Sequence, residues 1–307
     1  MIDDQARALT TELLSAAPDA LLPFRPTVGG DGSRQWRVTV EGRDLLLKVN
    51  RRPEQVIGIW YHGRLREAGV PVPELVAHSS TGGPEGQACA IFEWVDGEPA
   101  EFDCVEAPPY DEWELGALLR RIHSIAPKAG FGPLDDSGRA PCRDWSEAFV
   151  PLLHLGLCVR RGAITEALAE RALRVAHRFA DDLGRVEPRA LHYEDIMWNG
   201  NVLVGADGRI AAVLDFSGAV AGDPLWELMW FDYYFGEYGL YPRTDHSFDF
   251  SRFRHAYGLE YDPHAPLQRL YLMSALLEKL SFTDLASERA RSHRAMLEVL
   301  VRELARA

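Results

Sequence analysis

Two neighbouring carboxylates, a pair of asparagines and a lone aspartate stand in this sequence where they could work on a phosphate. The run Ala190-Leu191-His192-Tyr193-Glu194-Asp195-Ile196-Met197-Trp198-Asn199-Gly200-Asn201-Val202-Leu203-Val204 carries Glu194 and Asp195 out of an apolar approach into a polar loop. An asparagine then opens a second apolar run. A hydroxyl that attacks phosphorus needs a carboxylate to orient it and accept its proton. It also needs a divalent cation close by, and Mg²⁺ favours octahedral oxygen ligands such as an amide carbonyl. A solvated loop would explain the charges, but not the aromatic and the asparagine wedged between apolar strands. Farther on, Arg209-Ile210-Ala211-Ala212-Val213-Leu214-Asp215-Phe216 ends an apolar strand on an aspartate, which is costly unless that group is paired or on metal. The Asp207-Gly208 turn folds this strand onto 201–204 as a hairpin. That predicts Asp215 beside Asn201, two oxygen ligands for one magnesium.

A third ingredient lies upstream. The glycine-rich turn Val28-Gly29-Gly30-Asp31-Gly32-Ser33 sits between β segments, and Lys48 ends the apolar run Leu45-Leu46-Leu47. Glycines let backbone N–H groups come close to phosphates, and an ammonium pairs with the α- and β-phosphates. Taken alone, these residues read as a hairpin turn and a surface lysine. Of 33 basic residues, however, only Lys48, Lys128 and Lys279 are lysines, so a lysine at a strand end invites a reason specific to ammonium.

The elements that must hold these groups follow from periodicity. Residues 5–20 read as a helix, and 25–50 as a meander of antiparallel strands around the Glu41-Gly42-Arg43-Asp44 turn. A helix over 54–68 is stopped by Gly69 and Val70-Pro71-Val72-Pro73. Strands are predicted at 74–77 and 88–94. Beyond Asp96-Gly97 helices dominate: 111–125, 144–159, 163–184, 224–238, 266–283 and 286–306, interrupted by short strands within 188–216. Strands first and helices after predict an α+β fold of two lobes, 1–95 and 96–307, hinged near 93–98.

The ordered combination resembles the aminoglycoside phosphotransferase family, which shares the fold of protein kinases. The matching pieces are His192 to Asp195, Asn201-Val202-Leu203-Val204, Val213-Leu214-Asp215-Phe216 and Gly222-Asp223-Pro224. Similar stretches are Leu65 to Pro73, Ile91-Phe92-Glu93-Trp94-Val95-Asp96-Gly97-Glu98 and Leu115 to His123. The resemblance covers about residues 25–240. It implies a bilobal protein-kinase-like fold with Gly30, Gly32, Ser33 and Lys48 on the triphosphate, and the backbone of Glu93, Trp94 and Val95 at the base. Asp195 would be the catalytic base, with His192 and Glu194 beside it, and Asn201 and Asp215 would bind Mg²⁺. Asp223 would brace the catalytic loop. The family spacing leaves one residue between His and Asp and four between Asp and Asn. Here two separate His192 from Asp195 and five separate Asp195 from Asn201. The register Glu194 with Asn199 restores the family spacing, but Asp195 with Asn201 keeps the better local match. The helix glutamate that pairs with the strand lysine is expected near Gly58, where the nearest acid is Glu54.

The acceptor pocket carries no motif. Trp226, Trp230, Phe231, Tyr233 and Tyr234 read as core, and His123 as packing. Glu227, Asp232, Glu237 and Glu278 read as a solvated face, with Asp232 or Glu237 the candidates for binding an ammonium on the acceptor. A net charge of −13 argues against nucleic acid or an anionic membrane and suits a cationic small molecule. The scattered cysteines, the acidic amphipathic start and the lack of a long apolar stretch predict a cytoplasmic protein without disulfides or a zinc site. The function these features imply is ATP- or GTP-dependent transfer of phosphate to a hydroxyl of a small molecule. The acceptor would be an antibiotic of the aminoglycoside, peptide or nucleoside type, in self-resistance. A choline- or sugar-kinase type of metabolite kinase, a nucleotide-binding pseudokinase and a nucleotidyl transferase are the competing readings.

Overall fold

The computed structural model describes residues 2–24, 33–100, 111–192, 200–235, 249–258 and 262–306. Helix α1 (Ile2–Leu14) ends earlier than the pattern over 5–20 predicts, because Ser15 adopts left-handed backbone, φ 56°. Strand β1 (Ala20–Phe24) follows. Its Pro23 is tolerated because β1 forms the edge of its sheet. β2 (Ser33–Val40) and β3 (Arg43–Asn50) form the expected hairpin, with Glu41 and Gly42 both left-handed. α2 (Ile59–Glu67) starts five residues later than predicted, after a turn at 51–54 and a left-handed Gly58. β4 (Leu75–Ser79) and β5 (Cys89–Glu93) complete an antiparallel sheet of order β1-β2-β3-β5-β4.

The two faces of this sheet bury different things. Alternation along β3 sends Leu45, Leu47 and Val49 to one face, where they join Val38, Ile91 and Cys89 under Ala6 and Leu9 of α1. Each fully buried aliphatic side chain there contributes roughly 1.5–3 kcal/mol. Lys48 is one residue out of step, so it turns to the opposite face. That face packs on α2 through Tyr61, Leu65, Ala90 and Phe92, and its core is continuous with that of the remaining chain.

The second part begins with β6 (Glu98–Pro99) and α3 (Glu112–Ile122), the latter capped by Asp111. β7 (Gly132–Pro133) precedes a region whose pattern predicts one helix over 144–159. The structure divides it into α4 (Trp145–Phe149), a 3₁₀ turn at Val150–Leu153 and α5 (Leu155–Arg160). Pro151 cannot donate to the preceding turn, and His154 is left-handed. The stretch 163–184 likewise splits at Phe179 into α6 (Glu166–Arg178) and α7 (Ala180–Gly184). Then come β8 (Arg189–Leu191), β9 (Val202–Val204), β10 (Ile210–Val213) and β11 (Val220–Gly222). α8 (Pro224–Phe235), α9 (Phe250–Tyr257), α10 (Pro266–Phe282) and α11 (Glu288–Leu304) complete the described chain. The predicted α+β division into an antiparallel first lobe and a larger, mainly helical second one is observed. Trp226, Trp230, Phe231, Tyr233 and Tyr234 are core, as their spacing predicts.

Two small sheets carry the loops of interest. One has the order β10-β9-β6, so the segment just past residue 95 lies beside the predicted hairpin. The other has the order β7-β11-β8. Among the described residues no helix is long and apolar enough to cross a membrane.

Helix α3 meets α9 at Gly116, where an added Cβ would stand 2.3 Å from the Phe253 carbonyl oxygen. Gly116→Ala should therefore cost about 1–3 kcal/mol by overpacking. Gly63→Ala, in open space on α2, should instead gain up to about 1 kcal/mol from helix propensity. Urea midpoints of the two variants check both signs.

Candidate active site

The hairpin sets Asn201 beside the end of the Asp215 strand, and Lys48 reaches Asp215 across 167 residues of sequence. Val202 pairs with Val213, and the Leu214 N–H donates to the Asn201 carbonyl at 2.7 Å. Asn201 and Asp215 therefore flank the same end of the hairpin. Asp215 has φ 55°, a left-handed conformation that aspartate tolerates better than most residues. Its Oδ1 accepts from Lys48 Nζ at 2.9 Å, from Ser217 Oγ at 2.6 Å and from Ser217 N–H at 3.3 Å. Oδ2 takes no hydrogen bond from the described residues. The Lys48 side chain is 12% exposed and that of Asp215 38%, so the ammonium is sheathed while the carboxylate is partly open. Burial raises the Asp215 pKa, but the Lys48 charge and the Ser217 bonds outweigh it and hold the carboxyl well below the usual range.

His192 directly follows β8, and the pairing of Val220 with Leu191 sets that strand against β11, just past Asp215. The ring is buried. Burial lowers its pKa against the pull of Glu227 and Asp215, which makes it a neutral imidazole. Nε2 lies 3.0 Å from the Leu214 carbonyl, which can only accept, so the proton is on Nε2. Nδ1 then accepts from the Tyr61 hydroxyl of α2 at 3.2 Å. Phe216 packs between the His192 and His62 rings, with centroids 6.5 and 4.8 Å away.

The expectation for Glu227 is overturned. It is fully buried, and its Oε2 accepts from the His192 N–H at 3.1 Å and from His123 Nε2 at 2.8 Å. His123 Nδ1 in turn meets the Tyr257 hydroxyl at 2.8 Å, so this histidine is a hydrogen-bonding relay as well as packing. Glu227 thus holds the backbone of His192, where the chain leaves β8. Asp223 accepts from the Tyr271 hydroxyl at 2.7 Å and from the Leu225 N–H at 2.9 Å, which caps α8. An acid one turn into an aromatic helix, on the same face as Asp223, was the available signal for Glu227. Glu278 and Asp232 are buried too, against the solvated-face reading.

At residues 93–95, the Glu93 and Trp94 N–H groups donate to the Glu74 and Asp44 carbonyls. The Val95 N–H has no such bond among the described residues. The Trp94 indole packs edge-on against Phe24 and under the Arg37 guanidinium, and its Nε1 donates to Asp96. Ser33 is buried and its Oγ accepts from Gln35 Nε2. Glu54 is exposed in the turn ahead of α2, and the ion-pair partner of Lys48 is Asp215. Gly30, Gly32, Glu194, Asp195, Asn199 and Glu237 lie outside the described residues.

Because the Asp215 pKa is depressed on folding, its stabilisation is fully present above the unfolded value near 4 and is lost as pH falls through the folded one. Asp215→Asn should destabilise by at most about 1 kcal/mol at pH 7, given the exposure. The gap from wild type should close progressively below about pH 4, as chemical denaturation across pH 2.5–7 would show. Glu227→Ala should cost more, about 1.5–3 kcal/mol or above, because the buried acceptor of two N–H groups is lost.

The chain matches the model of the phosphotransferase enzyme family over residues 24–267. Among solved structures it is similar to aminoglycoside phosphotransferase APH(4)-Ia in a ternary complex with ADP and hygromycin B. Identity is 20%, coverage 97% of this chain and 98% of that one, and the TM-score 0.65. A fructosamine-3-kinase candidate from Thermobifida fusca shares 20% identity over 99% of both chains, with a TM-score of 0.64. The macrolide 2'-phosphotransferase MphH from Brachybacterium faecium shares 19% over 98% of this chain and 97% of that one, with a TM-score of 0.59. Among curated proteins no match was found. With most of its length matched and both lobes in place, the chain belongs to the phosphotransferase enzyme family and is a small-molecule kinase of the protein-kinase-like fold.

Proposed function

We propose that this kinase transfers the γ-phosphate of ATP or GTP to a hydroxyl of an antibiotic, with division of labour between residues 1–95 and 96–307. The observation that carries the reading is the approach of Lys48 to Asp215, with one carboxylate oxygen of Asp215 left without a hydrogen bond. In this reading Lys48 leaves Asp215 for the α- and β-phosphates when nucleotide enters. The Val95 N–H and the Glu93 carbonyl meet the base, and Gly30, Gly32 and Ser33 line the triphosphate. The residues fit a hard divalent cation: a carboxylate with a free oxygen, joined through its strand to an asparagine at the hairpin end. Asp215 and Asn201 would hold Mg²⁺, which when bound offsets charge on the transferring phosphoryl group.

Asp195 orients the acceptor hydroxyl and takes its proton, with Glu194 as the alternative base. His192 acts through position. Both its ring nitrogens are bonded within the fold, so it anchors the loop that carries Asp195. The negative charge of the chain supports a cationic acceptor, for which Glu237 is the candidate contact, since Asp232 is buried. Similarity to aminoglycoside and macrolide phosphotransferases supports the antibiotic class. The fructosamine-3-kinase candidate among the similar structures favours a metabolite as the second reading.

Incubation with ATP or GTP, Mg²⁺ and pooled antibiotics, beside a pool of amino sugars and choline, should add the mass of one phosphate to an antibiotic. Gain on a metabolite alone would transfer the assignment to the second reading. Nucleotide binding without transfer to any pool would point to a pseudokinase, and pyrophosphate release to nucleotidyl transfer. Asp195→Asn should lower kcat about 10²–10⁴-fold with little change in the KM for nucleotide. Undiminished turnover would move the base to Glu194.

A further inference from the structure

Helix α2 lacks two things its position calls for. Gly58, at the place expected for a lysine-pairing glutamate, has no side chain to offer Lys48, and it provides no side-chain cap for its own helix. The helix is nevertheless held closely. An added Cβ on Gly58 would stand 2.1 Å from the Phe216 carbonyl oxygen, next to Asp215. The Gly58 and Ile59 N–H groups both donate to Asp136 Oδ1, at 2.7 and 2.9 Å. Asp136 lies 77 residues beyond Ile59, in the second lobe.

The loop that presents Asp136 is itself rigid. Asp135 Oδ1 accepts from the Ser137 N–H, the Ser137 hydroxyl and the Arg139 N–H, which closes a tight turn with Asp136 at its tip. Gly138 leaves room for the Trp60 ring, which an added Cβ would meet at 2.3 Å. The root of the loop is tied to the segment after Asp215: the Leu134 N–H donates to the Ala219 carbonyl, and Pro133 pairs with Val220 of β11. One turn of α2 is therefore gripped by the same piece of chain that carries the Asp215 strand forward.

We infer that Asp136 is a positioning residue, a carboxylate that caps α2 from the other lobe and so fixes the helix against Phe216 and His192. A negative charge at a helix N-terminus meets its exposed N–H groups and the positive end of its dipole together. The latch replaces the usual tether between helix and strand lysine. Among the described residues Lys48 pairs with Asp215, and α2 keeps its place because the larger lobe holds it. The inference deepens the kinase reading and rests on it only for its second measurement.

The test compares wild type, Asp136→Ala and Asp136→Asn as full-length proteins. In Asp136→Ala, amide hydrogen exchange in peptides covering 57–63 should quicken about tenfold or more, with peptides of α10 unchanged. Affinity for a fluorescent ADP analogue with Mg²⁺ should fall several-fold. Asp136→Asn keeps an acceptor oxygen and should recover most of both. Wild-type exchange at 57–63, or an increase shared equally by α10, would overturn the latch. Local loosening with unaltered nucleotide affinity would overturn its link to the site. Wild type failing to bind the analogue would count against the kinase reading, and the exchange comparison would then decide the latch.

Discussion

An ammonium from the first lobe and a carboxylate from the second meet at 2.9 Å, and the geometry of both lobes is arranged around that meeting. The pair does not hold the lobes together. Half-exposed ion pairs contribute about 1 kcal/mol or less, while the core running through Tyr61, Leu65 and Phe92 into the second lobe is contiguous and buried. Its significance is electrostatic. The Lys48 charge helps hold the Asp215 carboxyl ionised, and only one oxygen of Asp215 is engaged by the described residues.

Behind that pair stands a frame of buried polar groups. Glu227 gathers the His192 N–H and His123, His123 reaches Tyr257 of α9, and His192 reaches Tyr61 of α2. A second chain runs from Trp145 through Tyr271 to Asp223. Each bond returns part of what desolvation removes, so such networks add little net stability. They do penalise any arrangement in which a donor loses its acceptor. That is how a loop entrance is held in register with a helix from the other lobe.

Hairpin and strand expectations held where the signal was local. The Asp207-Gly208 turn, the alternation of β3 and the apolar run ending at Asp215 each mark their element within a few residues. Helix lengths were less legible. The helical pattern over 144–159 continues through Pro151 and His154, but the chain turns at both. α9 is only eight residues long, and its cues were its caps, Asp249 and Gly258. Glu227 reads as surface in one dimension, since nothing in its neighbours says that two histidines distant in sequence will donate to it.

The order of residues was enough to set Asn201 beside the Asp215 strand, because a tight turn and strand alternation are short-range rules. It was enough, too, to turn Lys48 away from the apolar face of β3. Which partner that lysine finds, which acid holds His192 and what caps α2 depended on contacts 35 to 167 residues apart. Those choices follow from where whole sheets and helices come to rest, and that is settled by burying their apolar faces together. Asp136 is one acid in a polar turn until α2 arrives beside it.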